Sequence, residues 1–342
     1  MYKKISLMIL AAAITMVIFN SCEKGTEPEE LQPGRRDYTW TIDTINPGPT
    51  YRTYGFNLWG AAPNDLWMVG GADTRSHPIW HYDGKEWSNV ILDEFITGAG
   101  IVGFASDDVW MGTTNSSIWH YDGDSWSKFG EYKYKDYDRI TIQSMHGINR
   151  NEIYGVGFAD KFDGSRMTRI LMKYNGTEWN FIDIPELEEY FSRVKVNKVN
   201  NDIYIISNRR NSPDHYYHLY IVENDSLVKI TSSDDYISFA DIDGEIFPIV
   251  GKTINKYEKN KLIPIIDLEG TDFKSRAWGR SKIDFITVNV GSELGHYNGS
   301  NLINIVNVQA AIGEAVVFEK DIFIHGKEYN NFLDIIIHGK LK

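Results

Sequence analysis

The chain has 342 residues, with ten Trp, 20 Tyr, 16 Phe, one Cys and a formal net charge of −12. That charge repels phosphate backbones and anionic lipid surfaces, so nucleic acid is not an expected partner. A single cysteine excludes an intrachain disulfide, and the wealth of aromatic residues suits a pleated, half-buried surface and points to an all-β fold.

Residues 1–21 read as an export signal. Lys3 and Lys4 give a positive start, and Ile5 to Phe19 form an apolar core too short to span a bilayer comfortably. Its end, Phe19-Asn20-Ser21-Cys22, resembles a bacterial lipobox. That resemblance implies diacylation of Cys22, cleavage before it, and membrane attachment through the lipid anchor only. Residues 22–37, rich in Glu and Pro, read as an acidic, solvated tether. Acidic residues just after the cysteine are similar to the surface-export signals of Bacteroidota lipoproteins, which implies an outer-membrane protein facing either the periplasm or the cell surface.

From residue 38 onward the chain repeats. Ile79-Trp80-His81-Tyr82-Asp83-Gly84 recurs as Ile118-Trp119-His120-Tyr121-Asp122-Gly123, and a Trp follows each Gly by three residues, at 87 and 126. An acidic–aliphatic–aromatic (or apolar) triplet opens at Asp65, Asp108, Glu152, Asp202, Glu245, Asp284 and Asp321, at intervals of 37 to 50 residues. Asp-Gly and Asn-Gly pairs between alternating apolar segments mark tight hairpin turns. Four short strands per ~40 residues are the pattern of a β-propeller blade.

The expected domain, residues 38–342, is therefore a seven-bladed propeller with four antiparallel strands per blade. Unit seven offers three strands, and Tyr38–Ile45, ahead of unit one, supplies the fourth and hides the open edge. Units four and five keep only fragments of the third-strand element, which leaves six blades plus a degenerate unit as the alternative count. The D-[hydrophobic]-W and Y-D-G-x-x-W elements resemble the Trp-rich propeller repeats of bacterial secreted proteins and lipoproteins, and Gly70-Gly71, Tyr82 and Trp87 echo the kelch pattern. The family implies a fold and little chemistry.

His81, His120 and His296 occupy equivalent positions in different blades and so cannot converge on one metal ion; they read as structural. The seven repeated acids read as acceptors of backbone N–H groups after a tight turn. Asp83-Gly84-Lys85-Glu86-Trp87 differs from the sialidase Asp box, which keeps one residue between its Asp and Gly. No G-x-S-x-G, H-E-x-x-H, P-loop or dinucleotide fingerprint occurs, and no cofactor or metal is implied.

Ligand-binding candidates are sought on the loops after strand two and strand four. They are Arg75 and His77; Tyr132, Tyr134, Tyr137 and Arg139 in an aromatic–charged run; Arg166; and Arg209, Arg210 and His215. Aromatic faces flanked by charge suit sugar rings or peptide segments. The expected function is a monomeric, non-catalytic binding or scaffolding module for a glycan or an envelope protein. The alternative is a glycoside hydrolase or lyase with carboxylates drawn from several loops.

Overall fold

The computed structural model describes residues 32–45, 53–72, 79–209 and 216–342. The leader, Cys22, most of the tether, and Arg75, His77, Arg210 and His215 lie outside the described residues. Residues 33–342 form one compact unit.

The chain is all-β. After β1 (Tyr38–Ile45) come β2 (Thr53–Ala62), β3 (Asp65–Ala72), β4 (Ile79–Tyr82) and β5 (Trp87–Val90), then β6 (Gly98–Ala105), β7 (Asp108–Thr113), β8 (Ser117–Tyr121) and β9 (Trp126–Glu131). Next are β10 (Arg139–Asn149), β11 (Glu152–Asp160), β12 (Met167–Tyr174) and β13 (Trp179–Phe181), followed by β14 (Tyr190–Val196), β15 (Ile203–Asn208), β16 (Tyr217–Glu223) and β17 (Ser226–Ser233). The remainder is β18 (Ile237–Ile242), β19 (Glu245–Val250), β20 (Thr253–Glu258), β21 (Lys261–Asp267), β22 (Phe273–Ser281), β23 (Asp284–Asn289), β24 (Glu293–Tyr297), β25 (Leu302–Asn307), β26 (Ala310–Val317), β27 (Asp321–Glu328) and β28 (Asp334–Leu341). Each set from β2 to β17 is a four-stranded antiparallel sheet in chain order. The sets β18–β21 and β22–β25 merge into one eight-stranded sheet, because β18 and β22 pair in parallel at Ala240 and Ala277. The last sheet runs β1-β28-β27-β26, with Tyr38 opposite Leu341 and Ile45 opposite Asp334.

The repeated residues explain why these sheets form. Asp83, Asp122, Asn175 and Asn298 each accept the backbone N–H groups two and three residues ahead through a side-chain oxygen. The glycine next to each, at 84, 123, 176 and 299, sits at φ between 90° and 96°, which an L side chain rarely adopts. Every acidic triplet lies at the start of its sheet's second strand. Except at Glu245, which pairs with Lys282, its acid accepts from a side chain of the same sheet, not from the expected backbone N–H. His81 Nε2 meets Asp65 at 2.8 Å, His120 meets Asp108 at 2.9 Å, His296 meets Asp284 at 2.8 Å, and His338 meets Asp321 at 2.7 Å. Where the third strand lacks His, Tyr154 and Lys173 serve Glu152 instead. An imidazole N–H clamped to a carboxylate locks strand three to strand two, so each histidine belongs to its own sheet.

The aromatic residues of the repeat join one sheet to the next. Trp67 meets Tyr121 at 4.8 Å and Trp126 at 5.5 Å between ring centroids, and Trp110 meets Tyr174 at 4.8 Å and Trp179 at 6.1 Å. The triplet aromatic of one sheet is thus covered by the Y-D-G-x-x-W pair of the following sheet. Burial follows this arrangement. Every residue of β7 is buried, whereas the fourth strand β21 is largely exposed.

The tether ends earlier than expected. Gly34 N donates to Ile283 O at 3.0 Å, and Arg36 donates to His296 Nδ1 at 3.1 Å, to His296 O at 3.0 Å and to Asn301 O at 2.8 Å. Residues 34–36 are therefore docked on the sheet domain. A polar stretch can dock when its guanidinium satisfies carbonyls that would otherwise need water. The Arg36 contact also sets a tautomer: Nδ1 of His296 accepts, so Nε2 carries the proton given to Asp284.

Candidate functional site: a channel lined by the first strands

The first strands β2, β6, β10, β14, β18, β22 and β26 all contribute to one cavity of about 1200 Å³. They are held side by side through their own polar groups. Asn57 donates its side-chain amide to Ala99 O, Ser144 Oγ accepts from Val194 N at 3.2 Å, and His146 Nδ1 accepts from Val196 N at 3.2 Å. Part of the wall is aromatic and apolar, with Trp59, Phe104, Met145 and Trp278. Trp59 and Phe104 approach the next sheet so closely that a Cβ at Gly103 or Gly147 would come within 2.5 Å of their rings.

The lining also carries charge. Arg193 on β14 forms an ion pair with Glu314 on β26, joining strands from non-adjacent sheets across the cavity. Lys195, two residues further along β14 and so on the same face, meets Asp241 of β18 at 3.3 Å. Desolvation, followed by the charge of Arg276, lowers the Arg193 guanidinium to about 9, still a cation at neutral pH. Burial pushes Asp241 upward, but the charge and hydrogen bond of Lys195 outweigh it and hold the carboxyl below its ordinary range. Burial, with Lys195 second, drops His146 to about 3, so this imidazole is neutral. Arg280 donates Nε to Phe318 O at 2.9 Å and Nη1 to the Tyr38 hydroxyl at 2.8 Å.

The loop candidates are placed elsewhere. Tyr134 and Tyr137 are only 6% and 3% exposed and belong to the apolar core between the β6–β9 and β10–β13 sheets. Their rings have no free face for a ligand, because apolar burial outcompetes display on a loop. Tyr132 packs against the same core, and burial raises its phenol to about 12. Arg139 is held by Asp160 at 3.0 and 2.6 Å. Arg166 pairs with Asp136 and lies 5.0 Å over the Tyr137 ring. Arg209 is half-exposed and hydrogen-bonds Tyr216 O through its backbone N–H. None of these six lines the channel.

The channel residues Arg193, Lys195, Asp241, Arg280, Glu314 and His146 lie inside strands, so loop composition does not point to them. A signal existed: each is an ionisable residue inside a first strand, four to nine positions ahead of an acidic triplet. Among the described residues no group of three or more His, Cys, Asp or Glu side chains is arranged to hold a metal ion.

No family model and no curated protein matches this chain. Solved structures do. YCF48 bound to D1 peptide aligns with a TM-score of 0.62 at 12% identity, covering 93% of this chain and 99% of that one. YCF48 from Cyanidioschyzon merolae aligns with a TM-score of 0.57 at 12% identity, covering 87% and 98%. The WD40 propeller domain of Doa1 aligns with a TM-score of 0.56 at 10% identity, covering 86% and 98%. At such identities the likeness is one of fold, and that fold is the β-propeller.

Proposed function

We propose that this protein is a lipid-anchored, extracytoplasmic seven-bladed β-propeller. In this reading it is a non-catalytic binding or scaffolding module that holds a peptide segment of an envelope protein in its channel. The observation that carries the binding role is the cavity itself, where seven first strands deliver aromatic, apolar and charged side chains to one lining. Concave sites with an apolar lining and a few placed polar groups are the usual geometry of ligand pockets. The neighbour whose structure holds a D1 peptide favours a peptide over a glycan. Seven blades are supported by seven acidic triplets and seven channel-lining strands, and ring closure by the pairing of β1 with β28.

Asp241 and Glu314, two of the four carboxylates in the channel lining, are poorly suited to glycoside hydrolysis. A glycosidase needs one carboxyl held protonated near neutral pH beside one ionised. Asp241 instead has its proton affinity depressed and Lys195 as counter-ion, and Glu314 is spent on Arg193.

Peptide and glycan arrays probed with the purified chain, with product analysis of every hit, test this reading. Peptide binding without cleavage is expected; turnover of any glycan would replace the module with an enzyme. Anchoring is tested separately: Cys22→Ser should move the protein from the membrane to the soluble fraction, and continued membrane retention would refute the lipid anchor.

A further inference from the structure

Arg276, on β22, has a backbone φ of +43°. A long L side chain in the left-handed region is uncommon and is kept only where its surroundings demand it. The residue sits within bulges that shift the register between Ser275 and Ala277, and its N–H reaches Ser238 Oγ at 3.3 Å. This twist delivers the guanidinium toward β26, where Nη1 donates to Gly313 O at 2.6 Å. Its Nε is buried and has no hydrogen-bond partner.

The charge around it is unbalanced. Arg193 stands close enough to Arg276 for their repulsion to be felt, and Glu314, next to Gly313, is already paired with Arg193. Lys274 adds a further positive charge from the same strand. Tyr236, whose ring packs 5.3 Å from Tyr217, feels the charge of both guanidiniums. Desolvation pushes the Tyr236 phenol up, yet Arg276 and then Arg193 prevail and bring it below its ordinary range, as an uncompensated positive field would. A water molecule could satisfy the Nε donor but not the charge.

We propose that Arg276, with the channel residue Arg193 beside it, forms a binding site for a single carboxylate group. The inference deepens the binding-module reading by naming the ligand's chemistry, and it can stand or fall apart from it. A carboxylate accepts from the orphan Nε, balances Arg276, and competes with Glu314 for Arg193. Carboxylate and guanidinium match in charge and in planar, forked geometry.

The test is an equilibrium titration of the full-length chain with acetate and with its neutral analogue acetamide, followed by NMR and by the ultraviolet absorption of ionised tyrosine. Acetate should bind and acetamide should not, and filling the site should move the ionisation of Tyr236 to higher pH. Arg276→Gln should weaken acetate by about tenfold or more, as expected for losing a hydrogen bond to a charged group. Arg276→Gly accepts the left-handed backbone without strain, so it should fold and show the same loss. Arg209→Gln should change nothing. Equal response to acetate and acetamide, or undiminished acetate affinity in Arg276→Gly, would overturn the site. Peptide binding without acetate binding would keep the module and refute the site; acetate binding without any peptide hit would do the reverse.

Discussion

Phe323 of the last sheet packs against Tyr82 of the first, with ring centroids 6.0 Å apart. The same relation links Trp67 to Tyr121 and Trp110 to Tyr174 in consecutive sheets. Phe323 and Tyr82 thus repeat, between these two sheets, the kind of contact that joins consecutive sheets. Nearby, Gly55 N donates to Asp334 Oδ2 at 3.0 Å.

Tyr82→Ala should therefore loosen the junction of the last and first sheets. The side chain is half-buried, so a loss of about 2 kcal/mol is expected from packing and ring–ring contact together. Urea denaturation should show a lower midpoint with an unchanged slope. An unaltered midpoint would mean that this contact adds nothing to the fold.

Arg169 and Glu189 form an ion pair between neighbouring sheets, with side chains 4% and 1% exposed. Tyr220 and Ser207 hydrogen-bond the same carboxylate at 3.2 and 3.1 Å. Glu189→Ala strands a buried guanidinium and should cost about 3–5 kcal/mol. Replacing both partners, with Arg169→Met and Glu189→Leu, should cost clearly less. Comparing the two denaturation midpoints checks this; equal losses would show that packing, not charge compensation, is what matters there.

Two glycines should respond to alanine to very different degrees. A Cβ on Gly157 would lie 1.8 Å from Thr141 O, so Gly157→Ala must push β10 and β11 apart. Gly164 lies in a turn at φ 72° with nothing within 4 Å of a Cβ, so Gly164→Ala meets only the strain of that backbone, about 1 kcal/mol. Gly157→Ala is expected to prevent soluble folding, as judged by yield and circular dichroism, while Gly164→Ala melts slightly early.

His146 should give the fold an acid sensitivity. Its folded pKa of about 3 lies below the ordinary histidine value, so between roughly pH 6.5 and 3 the unfolded chain binds the extra proton. Stability from this residue is complete above that window and falls as the pH drops through it. His146→Gln should flatten that part of the stability–pH curve. An identical slope in the variant would mean that the imidazole is not kept neutral by burial.

The repeat architecture was legible because its signals are local. A Gly at positive φ after Asp, an acid that clamps a His, and a Trp three residues after the turn each occupy a few adjacent positions. The channel was less legible because it is made by residues distant in sequence. Arg193 and Glu314 say nothing of each other until the fold opposes β14 to β26. Tyr134 and Tyr137 misled for the converse reason: their charged neighbours suggest an exposed loop, but the tyrosine rings turn inward and only the charges stay outside. Arg36 resembles tether in composition, and only the carbonyls waiting at His296 and Asn301 make it part of the domain.

The most direct test of the channel as a binding site is the affinity of peptides, enriched from an unbiased library on the wild-type chain, for three variants. Phe104→Ala and Lys198→Glu alter the channel wall and mouth; Arg209→Gln lies away from it. Binding weakened about tenfold or more by the first two, and unchanged in the third, is the expected result. Enriched peptides that bind all three variants with wild-type affinity, or a library that yields none, would contradict a channel-bound peptide.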